Sequence, residues 1–218
     1  MKKISSYYGE VQPPPTNTDD FIVRPDILRT TFQVQMLGAF ASQEALSRLQ
    51  QESEQLRRKL RDATSAEVTL KMTGVLHSAA PTRKLRIPED DDEARTGVAG
   101  TLELALPTSL DFWARSARMA ALERTLRELS ADERKVRGQP AYSFSTSTAL
   151  VAEPEQHRAE LLRRFVSRVQ EFSAAASSAE APLRVVDCTA PGPVIQSPIS
   201  IESVGLSLQF SYRLAAPH

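Results

Sequence analysis

ILRTTFQVQM, residues 27–36, decides the fold. Leu28, Thr30, Phe32, Val34 and Met36 point one way; Arg29, Thr31, Gln33 and Gln35 point the other. Period two with one apolar face is the mark of a half-buried β-strand. The stretch that follows, ASQEALSRLQQESEQLRRKLRDA, changes period. Leu46, Leu49, Ser53, Leu56, Leu60 and Ala63 recur at steps of three and four, a helix with a narrow apolar seam and Ser42 as its N-cap.

Working outward, a second strand is expected near 67–76, with Val68, Leu70, Met72 and Leu76 on one face and Gly74 marking a bulge. A third runs near 98–106 through Val98, Leu102, Leu104 and Leu106. A second helix follows Thr108 or Ser109. Its expected buried face is Phe112, Met119, Leu122, Leu126 and Leu129, with Asp111 in the first turn, where the helix dipole favours an acid. A fourth strand near 141–151 carries Tyr142, Phe144, Thr146, Thr148 and Leu150. A third helix, 154–175, starts with Pro154 and has Leu161, Leu162, Phe165, Val169 and Phe172 as its stripe. A short strand covers Leu183 to Thr189. A connection with Pro191, Gly192, Pro193 and Pro198 leads to a last strand through Val204, Leu206, Leu208, Phe210, Tyr212 and Leu214. The order β-α-β-β-α-β-α-β-β implies an α+β fold: a mixed, largely antiparallel sheet with about three helices packed on one face. Residues 1–20, with Pro13, Pro14 and Pro15, read as a flexible tail; residues 21–214 read as one domain.

Between the second and third strands, residues 78–97 hold Arg83, Lys84 and Arg86, then Glu89, Asp90, Asp91, Asp92 and Glu93. This charged insert is expected to be mobile and dispensable for folding. Its acidic run lacks the spaced ligands and turn glycine of a calcium loop and reads as solvated.

Several function classes are disfavoured. The 218 residues carry 27 basic and 27 acidic side chains, so there is no basic excess for nucleic acid. Lys2 and Lys3 precede no apolar run, and no stretch is long enough for a membrane helix; a cytoplasmic protein is expected. Cys188, the single cysteine, cannot close an internal disulfide and is expected to fill a strand interior. The dinucleotide, P-loop, nucleophile-elbow and zinc-protease motifs are all absent. His77, His157 and His218 are the histidines. His157 lies near Glu153, Glu155 and Glu160 and reads as a solvated helix-end residue. Arg158, Arg163, Arg164 and Arg168 form a basic helix face, read as ordinary exposed surface. No catalytic, cofactor-binding or metal-binding residue is expected, and no enzyme activity.

Three stretches carry a resemblance. RPDILRTTFQVQMLGAFASQEALSRL places Arg24, Pro25 and Asp26 before an alternating strand and an Ala/Glu-rich helix. HRAELLRRFVSRVQEF, then LRVVDCTAPGP, then VGLSLQFSYRL give a helix, a strand, a Pro/Gly connection and a final aromatic strand. Over residues 21–214 this course resembles the SIMPL-domain (DUF541) family. The resemblance implies an α+β fold, association with stress tolerance and assembly into oligomers. It brings no catalytic residues. Many of its bacterial members carry a signal peptide, unlike the reading here, and the insert at 77–97 replaces a shorter hairpin. The expected function is a self-assembling structural or interaction protein. The alternative is a small-ligand-binding protein with a pocket between sheet and helices.

Overall fold

The computed structural model describes residues 21–37, 42–78, 95–131, 139–177, 184–189 and 191–215. The N-terminal tail, His218 and nearly all of the charged insert lie outside these residues. Ten strands and three α-helices are described: β1 (Ile22–Val23), β2 (Ile27–Leu37), α1 (Ser42–Thr64), β3 (Val68–Ser78), β4 (Arg95–Ala105), α2 (Phe112–Ala131), β5 (Pro140–Phe144), β6 (Thr148–Leu150), α3 (Arg158–Ala176), β7 (Arg184–Cys188), β8 (Ile195–Ser200), β9 (Ser203–Ser207) and β10 (Tyr212–Ala215). The fold is α+β, and the strand pairs with a defined register are antiparallel. No described helix is long and apolar enough to cross a membrane.

The chain, read above as one domain, groups into two compact units. One holds Arg24–Leu150 with Ser200–Glu202; the other holds the segment ending at Val23, Val151–Ile199 and the chain from Ser203.

In the first of these units the strands lie in the order β3-β4-β2-β5, with β6 also on β2. With α1 between β2 and β3, and α2 between β4 and β5, this is the split β-α-β-β-α-β arrangement of ferredoxin-like folds. Leu28, Thr30, Phe32, Val34 and Met36 are all buried, as the alternation of β2 requires. Leu102 and Leu104 of β4 lie on the same face, opposite Thr30 and Leu28, and α1 and α2 add Leu49, Leu56, Leu60, Leu122 and Leu126 to the one core. Each fully buried leucine contributes about 1.5–3 kcal/mol of transfer free energy. The other face is polar: Arg29, Thr31 and Gln33 on β2 stand beside Glu103 and Thr101 on β4.

Where the structure departs from the sequence reading, the departures are phase shifts. The α1 seam is Ala45, Leu49, Ser53, Leu56, Leu60 and Thr64; Leu46 is 40% exposed and Ala63 is exposed. Ser42 is the first helical residue, and the helix closes on Ser65 at φ 49°, the left-handed position that usually takes glycine. The α2 face is Arg115, Met119, Leu122, Leu126 and Leu129; Phe112 is exposed. Asp111 caps α2, its Oδ1 accepting from the Ala114 amide at 2.7 Å. The expected strand 141–151 breaks into β5 and β6. Around the break, Ser145 exchanges hydrogen bonds with the Thr31 backbone, and Ser147 Oγ meets Thr30 Oγ1 at 2.8 Å. The buried parity changes there from Tyr142 to Ser147 and Ala149.

The second unit has its own core of Leu161, Val194, Val204, Leu206 and Leu208, with Phe21, Val23, Leu162 and Phe210 against it. It contains α3, while α1 and α2 belong to the first unit. The expected final strand is two strands in different sheets: β9 in the set β1-β9-β8, β10 on β7. The proline-rich connection supplies β8, with Pro198 inside it. Leu161 and Val169 are buried as expected from the α3 stripe, whereas Phe172 is exposed. Phe165 stacks on Phe210 with centroids 3.7 Å apart.

Candidate interaction site

β3 is the outermost strand of the larger sheet, and no described strand pairs with its outer side. Its inner side is fixed by the ladder to β4, and the Ala105 amide donates to the Glu67 carbonyl at 3.0 Å. Antiparallel strands turn alternate residues toward the partner. Glu67, Thr69 and Lys71 therefore bond inward, and the N–H and C=O groups of Val68, Leu70 and Met72 point to the open edge.

The regular ladder ends at a bulge between Met72 and Gly74. The extra residue inverts the pleat. Val75 thereby falls opposite Val98, which itself faces Val34 of the core face. The sequence reading put Leu76 on that face; the bulge gives the place to Val75 and turns Leu76 to the polar side with Gly97. Met72 is 49% and Val75 51% exposed. Leu46 of α1 lines one groove with Met72. This groove, of about 450 Å³, runs between α1 and β3, its floor Val68, Leu70, Met72 and Val98, its helical wall apolar at Leu46 and Leu49 and charged at the Glu54–Arg57 ion pair. β3 stays flush with β4 because Gly100 lies under the Phe32 ring. A Cβ there would stand 2.9 Å from that ring and 2.6 Å from the Lys71 carbonyl oxygen.

Charge lies on the polar face of the same strand. Glu103 accepts from Lys71 Nζ at 2.7 Å and from Arg29 Nε at 3.0 Å. Burial alone would raise its pKa, but the bonds from Lys71 and Arg29 outweigh it and hold the carboxyl below its ordinary 4.5. A depressed pKa contributes stability that is complete above the ordinary value and disappears as pH falls through the lowered one. Glu103→Gln should therefore cost about 1 kcal/mol at pH 7 and much less at pH 3, read from urea unfolding at both pH values. An equal cost at both would refute the assignment.

The second polar cluster is internal. Arg115, 0% exposed, donates from Nη1 to the carbonyls of Leu106 (3.0 Å) and Pro107 (3.2 Å), and from Nη2 to those of Pro25 (2.8 Å) and Ile201 (2.7 Å). Its Nε stands 2.7 Å from Glu202 Oε1, a close ion pair out of line for a hydrogen bond. Glu202 Oε2 accepts from Arg24 Nε at 2.7 Å, and Arg24 also donates to the Thr108 carbonyl. Burial lowers the Arg115 pKa and the Glu202 carboxylate opposes that. All four carbonyl partners are backbone, so this cluster holds chain segments together rather than presenting a reactive group.

The residues singled out in the sequence are not gathered into one site. His157 packs its ring 5.4 Å from that of Phe21, with Gln156 Nε2 at 3.3 Å. Two of the acids near it, Glu155 and Glu160, are engaged elsewhere. Glu155 binds Arg158 Nε at 2.6 Å and the Val194 amide at 2.9 Å; Glu160 binds Arg164 and Arg163. The bonds from Arg158 to Glu155 and from Arg164 to Glu160 draw those carboxyls below the ordinary range. The basic face of α3 is thus largely an internally balanced set of short-range ion pairs. Cys188 is exposed, not the interior filler expected. His77 lies in β3, its side chain outside the described residues. The acidic run 89–93 also lies outside them. Among the described residues no group of three or more His, Cys, Asp or Glu is placed to hold a metal ion. Sequence reasoning missed the open edge of β3 and the buried Arg115. Edge position follows from strand order, which local pattern does not encode; Arg115 carried only the signal of sitting three and four residues from Phe112 and Met119.

No family model matches the chain, and no curated protein does. Among solved structures it is similar to an amidase of the hydantoinase/carbamoylase family from Burkholderia phymatum. The identity is 12%, covering 64% of this chain and 34% of that one, with a TM-score of 0.29. The chain therefore spans about a third of the length of that protein.

Proposed function

We propose that this chain is a non-enzymatic interaction protein that assembles with copies of itself through the larger of its sheets. The observation that carries this reading is the open edge of β3. Long edge strands template pairing with another chain, and proteins that stay apart blunt them with charge or proline. The described β3 carries Lys71 and a bulge, but it also leaves Met72 and Val75 exposed, as is Leu46 of α1, each at 40% or more. Its ladder to β4 runs almost unbroken over eleven residues. The ordinary surroundings of His157 and Cys188 support the non-enzymatic part. Light scattering coupled to size exclusion tests it: the expected mass is a multiple of 24.1 kDa, and a mass of 24.1 kDa at every concentration overturns the reading. A second reading, a small-ligand-binding protein, is favoured by the volume of the α1–β3 groove, which falls in the range of ligand pockets. It requires a monomer whose melting temperature rises with bound fragments.

A further inference from the structure

We infer that two copies of the chain pair β3 to β3 about a two-fold axis through Thr69, so that Glu67 of each copy lies opposite Lys71 of the other. This rests on the self-assembly reading and specifies its partner, register and symmetry. Ahead of the bulge the ladder to β4 is regular from Glu67, just before β3, to Met72, and this is the longer of the two uninterrupted stretches, the other being Gly74–Ser78. Its outward N–H and C=O groups belong to Val68, Leu70 and Met72. An antiparallel pair that uses them and keeps both core faces on one side must place residues of like parity opposite each other.

A centre at Thr69 meets both conditions. Val68 then forms a hydrogen-bonded pair with the copy's Leu70, and Ala66 faces Met72, apolar against apolar on the groove side. On the polar side Thr69 faces Thr69, and Glu67 faces Lys71 twice over by symmetry. The Lys71 ammonium, held at 2.7 Å by Glu103, would sit between two carboxylates. A centre at Leu70 places Thr69 opposite Lys71 and Glu67 opposite Thr73 in the bulge, and loses both charge pairs. Opposite charges directly across a strand pair attract and like charges repel, so the sequence EVTLKM selects the Thr69 centre and selects a second copy of itself as occupant. A two-fold contact is isologous and closes at two copies.

The test is a cross-link at the axis. A pair that exchanges no hydrogen bonds brings Cα atoms to about 4.5 Å, within the span of a disulfide of roughly 4.4–6.8 Å. In a Cys188→Ala background, which removes the exposed native thiol, Thr69→Cys should become a covalent dimer under mild oxidation, while Thr73→Cys should not. Both positions are exposed, so both variants should fold. Independently, Glu67→Lys should weaken self-association about tenfold, and adding Lys71→Glu to it should recover most of the loss. A stable oligomer that gives no Thr69→Cys cross-link and ignores both charge changes overturns the register while leaving self-assembly intact. A monomer at all concentrations overturns both.

Discussion

Arg115→Ala is expected to lower the stability of the larger unit by about 3–5 kcal/mol, the range found when one partner of a buried ion pair is removed. The change takes the guanidinium from four backbone carbonyls, of which Pro107 keeps the Leu110 amide, and leaves Glu202 with Arg24 as its remaining cation of the two. Each carbonyl buried without a partner retains its desolvation cost. Arg115→Lys should recover only a minor part. An ammonium keeps the charge but cannot reach Leu106, Pro25 and Ile201 together in the planar fork geometry of a guanidinium. Arg115→Met combined with Glu202→Gln should cost less than the two single changes summed, because the orphaned carboxylate is gone. Urea unfolding followed by circular dichroism measures all of these. A loss below about 1 kcal/mol for Arg115→Ala would mean that the cluster does not hold its segments.

The second large effect lies in α1. Leu49 and Leu56 are 0% and 1% exposed against the sheet. Changing both to alanine removes buried volume on one helix face, at about 2–5 kcal/mol per site. The two losses together reach the whole stability of an ordinary domain. The double variant is expected to unfold, with loss of its helical dichroism. A folded double variant that merely dissociates from its copies would show instead that these leucines form the seam between subunits.

How far the fold was legible follows from these two cases. The leucine steps of α1 identify helix and core side because three-four spacing is a local property of one helix. The exact stripe is set by the partner surface, which is why Ala45 and Thr64 are buried while Leu46 and Ala63 are not. Arg115 is the opposite case. A charged side chain inside an apolar stripe reads as solvent-facing until the carbonyls that receive it are known, and two of those come from Pro25 and Ile201, 90 and 86 residues away in sequence. The strands show the same division. The alternation of β2 is sufficient by itself, since β2 is central and every second side chain meets the core. The run from Val204 to Leu214 alternates in sequence as if it were one strand, and only the pairing of Tyr212 with Cys188 reveals that β10 lies in another sheet. The candidate site was the least legible part: an edge is the absence of a neighbour, and the bulge that exchanges Val75 for Leu76 is a mismatch between two strands, invisible in either alone.

That bulge bears on how the protein avoids becoming a fibre. A flat strand with free bonds along its full length would admit new chains in many registers, and growth could continue from the far edge of the sheet. Here the Met72–Gly74 irregularity shortens the usable stretch, and the opposite edge is cut into β5 and β6 by Ser145–Ser147. Among the described residues, the longest uninterrupted run on one edge is Glu67 to Met72, and on the other the five residues of β5. Both interruptions shorten the template for chain addition, and straightening β3 by deleting Thr73 should promote amyloid-like growth, read from thioflavin fluorescence.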